Sequence, residues 1–157
     1  MSEPAIQQRE LDFVIGDPSQ MSDPAVIEWK SRLAWLASTD LSIDPFQPWP
    51  LILCESTNRW HDDIVSCLRA AGWAWRVVVE SASLDATLAA LDSGMGVSAL
   101  PAEAVRNPRV SEVKYARLPV LPEVRFGMLR SRTAPTSARA LMETALAASL
   151  KAEPATI

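Results

Sequence analysis

Short apolar runs alternate with stretches of helical spacing through the middle of the chain. Leu51-Ile52-Leu53-Cys54 is a continuous apolar run of strand length and predicts a buried strand. The polar stretch Glu55-Ser56-Thr57-Asn58 follows, with side chains suited to cap a helix. Ile64, Leu68 and Ala71, at spacings of four and three, predict that helix, and Gly72 stops it. Trp75 to Val79, rich in β-branched residues, predicts the next strand. Glu80-Ser81-Ala82-Ser83 then repeats the polar corner, Leu84, Leu88 and Leu91 repeat the helical stripe, and Gly94 repeats the stop. Gly96 to Pro101 predicts a third strand. A unit of strand, Glu-Ser corner, helix, glycine and strand therefore occurs twice in succession.

The flanks are sparser. Leu11 to Ile15 predicts a strand stopped by Gly16-Asp17-Pro18, and Arg32 to Ala37 predicts another. Residues 18–28 and 39–50 carry the Pro, Asp and Ser of surface loops. After Pro101 come a short helical piece, Ala102 to Arg106, and a strand, Val124 to Leu129. Pro135-Thr136-Ser137 caps a terminal helix whose Leu141, Ala145 and Ala148 mark one face, with Met142, Leu146 and Leu150 beside them. Residues 1–10 and the tail from Lys151 show no period and read as ragged ends.

Strands separated by helices of this length pair in parallel, because the crossover helix returns the chain to the same edge. Right-handed crossovers put both Glu-Ser corners at the carboxyl ends of their strands. Helix N-termini converge there with free N–H groups and positive partial charge, and open α/β sheets bind ligands at that edge. The pattern predicts a pocket and no particular reaction.

Composition narrows the class. The 157 residues suit one ordinary domain or two small lobes, and 48% hydrophobic with 22% charged residues excludes disorder. Fifteen basic against 19 acidic residues give a net charge of −4, which argues against direct binding of nucleic acid by this segment. Apolar runs such as Val77-Val78-Val79 fall far short of the ~20 residues that span a bilayer, so no membrane partner is expected. The polar start lacks the apolar stretch of a signal peptide. Cys54 and Cys67 are too few for a disulfide framework, which suits the reducing cytoplasm.

Candidate chemistry is thin. His61, the only histidine, lies near Ser56, Asp62 and Asp63, but Ser56 is not in a Gly-x-Ser-x-Gly elbow. Cys54, His61 and Cys67 lack any Cys-x-x-Cys or His-x-x-x-His pair, so no metal is expected. Gly94-Met95-Gly96 closes a helix and opens a strand, the reverse of a dinucleotide fingerprint, so no cofactor is expected either. Glu55 and Glu80 serve to complement the positive ends of the helices that follow them. Among six tryptophans, Trp29, Trp35, Trp73 and Trp75 read as packing residues. Trp60, beside the first Glu-Ser corner, suits equally the wall of a pocket or plain burial.

The order of these pieces resembles the effector-binding domain of LysR-type transcriptional regulators. The resemblance rests on Glu10-Leu11-Asp12-Phe13-Val14-Ile15-Gly16, Pro50-Leu51-Ile52-Leu53 and Val78-Val79-Glu80-Ser81-Ala82-Ser83. It continues through Leu91-Asp92-Ser93-Gly94-Met95-Gly96-Val97-Ser98-Ala99-Leu100-Pro101 and Ser137-Ala138-Arg139-Ala140-Leu141, and covers residues 10–148. It implies an α/β, type II periplasmic-binding-protein-like fold. One lobe, about 34–131, is nearly complete with a parallel-rich sheet; 10–33 and 132–148 are remnants of the other.

The resemblance also implies a function. Family members carry an N-terminal winged helix-turn-helix, a linker helix and an opening β-α-β unit, none of which is expected in this chain, so it resembles a truncated regulator. DNA would be reached only through the missing head. A small-molecule effector would bind at the hinge and shift the lobes, with Gly16 and Asp17 on one side. Asn58, Arg59 and Trp60 would close from the other. The ligand-binding candidates are thus Gly16, Asp17, Glu55, Ser56, Asn58, Arg59, Trp60, Ser81 and Ser83. An incomplete first lobe would expose apolar surface and sheet edge, so a homo-oligomer is expected. The competing readings are a stand-alone solute-binding module of the same fold and, less favoured, an enzyme built on it.

Overall fold

Alternate residues of one strand serve two cores. In β3 (Trp49–Cys54), Trp49, Leu51 and Leu53 belong to one buried cluster, while Ile52 and Cys54 belong to a second. Helix α1 (Asn58–Ala70) covers the first cluster with Ile64 and Leu68, and α2 (Leu84–Asp92) covers the second with Ala90 and Leu91. A strand covered on both faces has no solvent side. That is why its sequence reads as an unbroken apolar run rather than an alternation.

The computed structural model describes residues 11–151 apart from 22, 45, 55–57 and 116–117. They fall into two compact units, one formed by 31–124 and the other by the flanking segments up to Lys30 and from Arg125 on. The unit boundaries lie inside β2 (Ile27–Ser38) and β7 (Glu123–Arg130), so both strands run from one unit into the other. The sequence suggested 34–131 for the more complete lobe.

In unit 31–124, with β4 spanning Trp75–Ser81 and β5 spanning Val97–Pro101, the strand order is β2-β5-β3-β4, and β6 (Val110–Glu112) also pairs with β2. β3 is parallel to both β4 and β5, as the two crossover helices require. β2 runs antiparallel to β5 and β6. The two glycine stops are real: Gly72 and Gly94 have φ of 70° and 71°, a backbone region that L side chains enter only at a cost. Gly96 has a different reason. A Cβ there would fall on the Pro50 carbonyl and lie 3.2 Å from Ile52 Cγ1, so β5 approaches β3 closely only because that side chain is missing.

In the flanking unit, β1 (Phe13–Gly16) pairs antiparallel with β7, matching Phe13 to Arg130 and Gly16 to Gly127. Beside them, the Val26 N–H donates to the Met128 carbonyl at 2.8 Å, and Trp29 stacks on Phe126 with centroids 5.5 Å apart. The terminal helix α3 (Thr136–Lys151) is tied down by polar contacts. Arg130 pairs with Glu143 at 2.7 Å, and Arg139 donates to the carbonyls of Ala134 and Arg132 at 2.8 and 2.7 Å.

Three expectations change. The stretch 18–28 is not all loop, because a short 3-10 turn spans Pro18–Gln20 and β2 already begins at Ile27. The piece after Pro101 is a single 3-10 turn, Ala102–Ala104, and β6 enters where no strand was foreseen. In α3 the partly covered side carries Met142, Leu146 and Leu150, while Leu141 is 73% exposed. The anchoring Arg139 and Glu143 set that rotation, since they share a side with Met142 and Leu146 at spacings of three and four.

Candidate functional site

Parallel register brings the end of β3 and the second Glu-Ser corner to one rim. Cys54 lies opposite Ser81, and Leu53 opposite Glu80, so β3 and β4 end side by side. β5 runs the same way, with Leu51 opposite Val97, and its end at Pro101 reaches the same carboxyl edge. The helices α1 and α2 begin from this rim. Their first-turn N–H groups are donors without intrahelical partners and carry positive partial charge.

The second corner is fully described. Ser83 caps α2 from an extended conformation, its Oγ accepting from the Ala86 N–H at 3.4 Å and its carbonyl accepting from Thr87 Oγ1 at 3.0 Å. Ser81 Oγ accepts from the Ser83 N–H and donates to the Ser83 carbonyl, both at 3.1 Å. These bonds fix the turn, so Ser81 and Ser83 shape the rim through backbone geometry as much as through their hydroxyls. Glu80 is exposed beside them.

The first corner is only partly described. Glu55 and Ser56 lie outside the described residues. Asn58 and Arg59 open α1, and their side chains also lie outside the description. Trp60 is half-buried and packs against the cluster that holds Trp35, Trp49 and Leu53. It thus takes part in the core while keeping a solvent-facing portion near the rim.

Gly16 and Asp17 belong to the flanking unit. Asp17 Oδ1 accepts from the Ser19 N–H at 2.8 Å and from Ser19 Oγ at 2.7 Å, capping the turn at Pro18–Gln20. Among the described residues, no group of three or more His, Cys, Asp or Glu side chains is placed to hold a metal ion. None of the helices described is long and apolar enough to cross a membrane.

The opposite edge holds what the sequence reading missed. A cavity of about 580 Å³ opens at the amino-terminal ends of β3 and β4, lined by Phe46, Gln47, Gly72, Trp73, Ala74 and Tyr115 among others. A smaller chamber of about 30 Å³ lies between Ile43, Trp49, Trp73, Val113 and Tyr115. The available signal was Trp49 at the start of β3 and Trp73 just ahead of β4. Tyr115, far along the chain, completes the walls and could not be placed from spacing.

The chain matches the family described as the LysR substrate binding domain over residues 2–149. It belongs to that family. Accordingly it is the effector-binding, regulatory kind of domain found in LysR-type transcriptional regulators, with the α/β, type II periplasmic-binding-protein-like fold. A curated relative is the HTH-type transcriptional regulator PecT of Dickeya dadantii (strain 3937), 25% identical over 127 residues. That match takes in 80% of this chain but only 40% of PecT, so this LysR-type domain spans well under half the length of that relative.

Solved structures agree on the fold. The bromide-bound regulatory domain of HypT from Salmonella typhimurium superposes with a TM-score of 0.68 at 16% identity, covering 96% of this chain and 77% of that one. DarR of Vibrio fischeri, solved in complex with DNA, gives 0.65 at 15% identity, covering 91% and 52%.

Proposed function

We propose that this LysR-type domain receives a small-molecule effector at the carboxyl rim of β3 and β4, and that the effector controls transcription through a DNA-binding head of the same protein. The observation that carries the reading is the register that sets Cys54 beside Ser81. It supports one rim flanked by two helix N-termini, with the solvent-facing part of Trp60 as an apolar wall. Such a rim suits a ligand with one polar, electron-rich end and an apolar body. Glu55, Ser56, Asn58, Arg59, Trp60, Ser81 and Ser83 are the proposed contacts from this unit. The Gly16–Asp17 turn is a separate candidate on the flanking unit.

The effector must favour one arrangement of the protein over another, or its binding would change nothing. In this reading the domain is a receptor without a bond-making step. Assembly into a homo-oligomer in the cytoplasm and reach to DNA through the attached head belong to the same proposal. That PecT is named a helix-turn-helix regulator and DarR was solved on DNA supports it.

Thermal unfolding in the presence of acetate, succinate, benzoate or indole-3-carboxylate tests the rim. At least one acid with an apolar body should raise Tm, Trp60→Ala should abolish the rise, and Asp17→Ala reports the other candidate separately. A rise unaltered in Trp60→Ala, or none with any of the four, overturns the assignment.

A further inference from the structure

Four aromatic rings form a continuous series at the amino-terminal edge of unit 31–124, away from the rim described above. Trp35 meets Trp49 edge to face with centroids 5.9 Å apart, Trp49 meets Trp73 at 4.5 Å, and Trp73 meets Tyr115 at 5.9 Å. Trp73 and Tyr115 line both the outer cavity of about 580 Å³ and the inner chamber of about 30 Å³. The two rings therefore stand where one space adjoins the other.

The outer cavity falls within the ~300–1,000 Å³ typical of small-molecule sites. The inner chamber has room for about two water-sized atoms and none for a ring. Trp49, which lines the inner chamber, is 1% exposed, and its Nε1–H is buried with no hydrogen-bond partner among the described residues. A buried donor left unpaired is costly, and native proteins rarely keep one without a use or a guest. At the outer mouth Phe46 lines the cavity and is 91% exposed, which leaves its ring available to a ligand. The described residues lining both spaces are uncharged, with the Gln47 amide at the mouth.

We propose that this edge is a second ligand site, taking a neutral planar aromatic compound that bears a carbonyl oxygen. The ring lies in the outer cavity against Trp73 and Tyr115 under Phe46. The oxygen enters the inner chamber and accepts the Trp49 Nε1–H. The described lining carries no charge, which favours a neutral ligand over a carboxylate, because none of those residues offsets a carboxylate's lost hydration. This site does not depend on the carboxyl-rim proposal, and either can fail without the other.

Benzamide is the probe, read by the indole N–H resonances of the full 157-residue chain, with Trp49 assigned by the signal missing in Trp49→Phe. Benzamide should move the Trp49 indole proton downfield, whereas indole, planar but without an acceptor oxygen, should leave it in place. Trp49→Phe should weaken benzamide about fivefold, the worth of one neutral hydrogen bond. Phe46→Ala, at a position too exposed to affect folding, should weaken it at least as much. A Trp49 resonance unmoved at saturating benzamide, an equal response to indole, or unchanged affinity in both variants would each overturn the site.

Discussion

Trp35 and Trp49 cross edge to face at 5.9 Å in one core, yet their indole nitrogens have opposite fates. Trp35 Nε1–H donates to the Pro119 carbonyl at 3.0 Å, while the Trp49 Nε1–H is buried without an acceptor among the described residues. The two substitutions to phenylalanine therefore remove similar volume but different polar interactions. Trp35→Phe deletes a made bond and leaves a carbonyl behind, about 1 kcal/mol beyond the packing loss. Trp49→Phe deletes an unpaired donor, which offsets part of its packing loss. Urea unfolding should rank Trp35→Phe as the less stable variant, and the reverse order would contradict this account of the core.

A second expectation concerns acid. Arg32 grips Glu112 with both nitrogens, Nη1 to Oε1 at 2.7 Å and Nη2 to Oε2 at 2.9 Å, which joins β2 to β6. The hydrogen bond from Arg32, opposed by some desolvation, holds the Glu112 carboxyl below its ordinary value. A carboxylate lowered in the folded state adds stability above its unfolded pKa, and the contribution disappears as pH falls through the folded one. Glu112→Gln should therefore lower Tm slightly at neutral pH and flatten the fall of Tm on the acid side. With side-chain exposures of 60% and 39% the effect is small, and high salt should erase it. Tm measured across pH at two salt concentrations checks this, and an acid limb identical to the parent's would refute it.

The third prediction separates two kinds of glycine. Gly96→Ala drives a methyl group onto the Pro50 backbone, which cannot rotate aside, so β5 must move away from β3. Gly72→Ala meets nothing within 4 Å and suffers only its φ of 70°. Overpacking against backbone costs ~1–3 kcal/mol or more, against about 1 kcal/mol for the left-handed position. Urea midpoints should place Gly96→Ala well below Gly72→Ala, and equal midpoints would show that β5 has room to yield.

Much of the fold was legible because unit 31–124 is built locally. The run from Leu51 to Pro101 alternates strand and helix with short corners, so periodicity, the Ser83 cap and the stops at Gly72 and Gly94 each stand close to the element they bound. The unread parts have physical reasons. Ile27 to Lys30 alternate half-buried and exposed, inside a stretch of Pro, Ser and Asp that argues for loop. β6 is three residues long, too short to carry a period, and exists because Ser38 and Ala37 of β2 accept it in register. Leu141 looked like a core residue by spacing, but Arg139 and Glu143 anchor α3 by another side.

The rim was legible to the extent that parallel pairing dictates it, through Ser81 and Ser83. The aromatic cavity was not. Its walls come from Phe46, Trp73 and Tyr115, which only tertiary structure gathers.

The strands that carry the chain into and out of unit 31–124 are clasped just outside it. Glu28 pairs with Arg125 at 2.6 Å, and Trp29 stacks on Phe126. The unit is thus an insert whose two connecting segments are held side by side within the flanking unit. Proteolytic nicking of a single passage therefore leaves the two units covalently joined by the other, and only cleavage at both releases the insert.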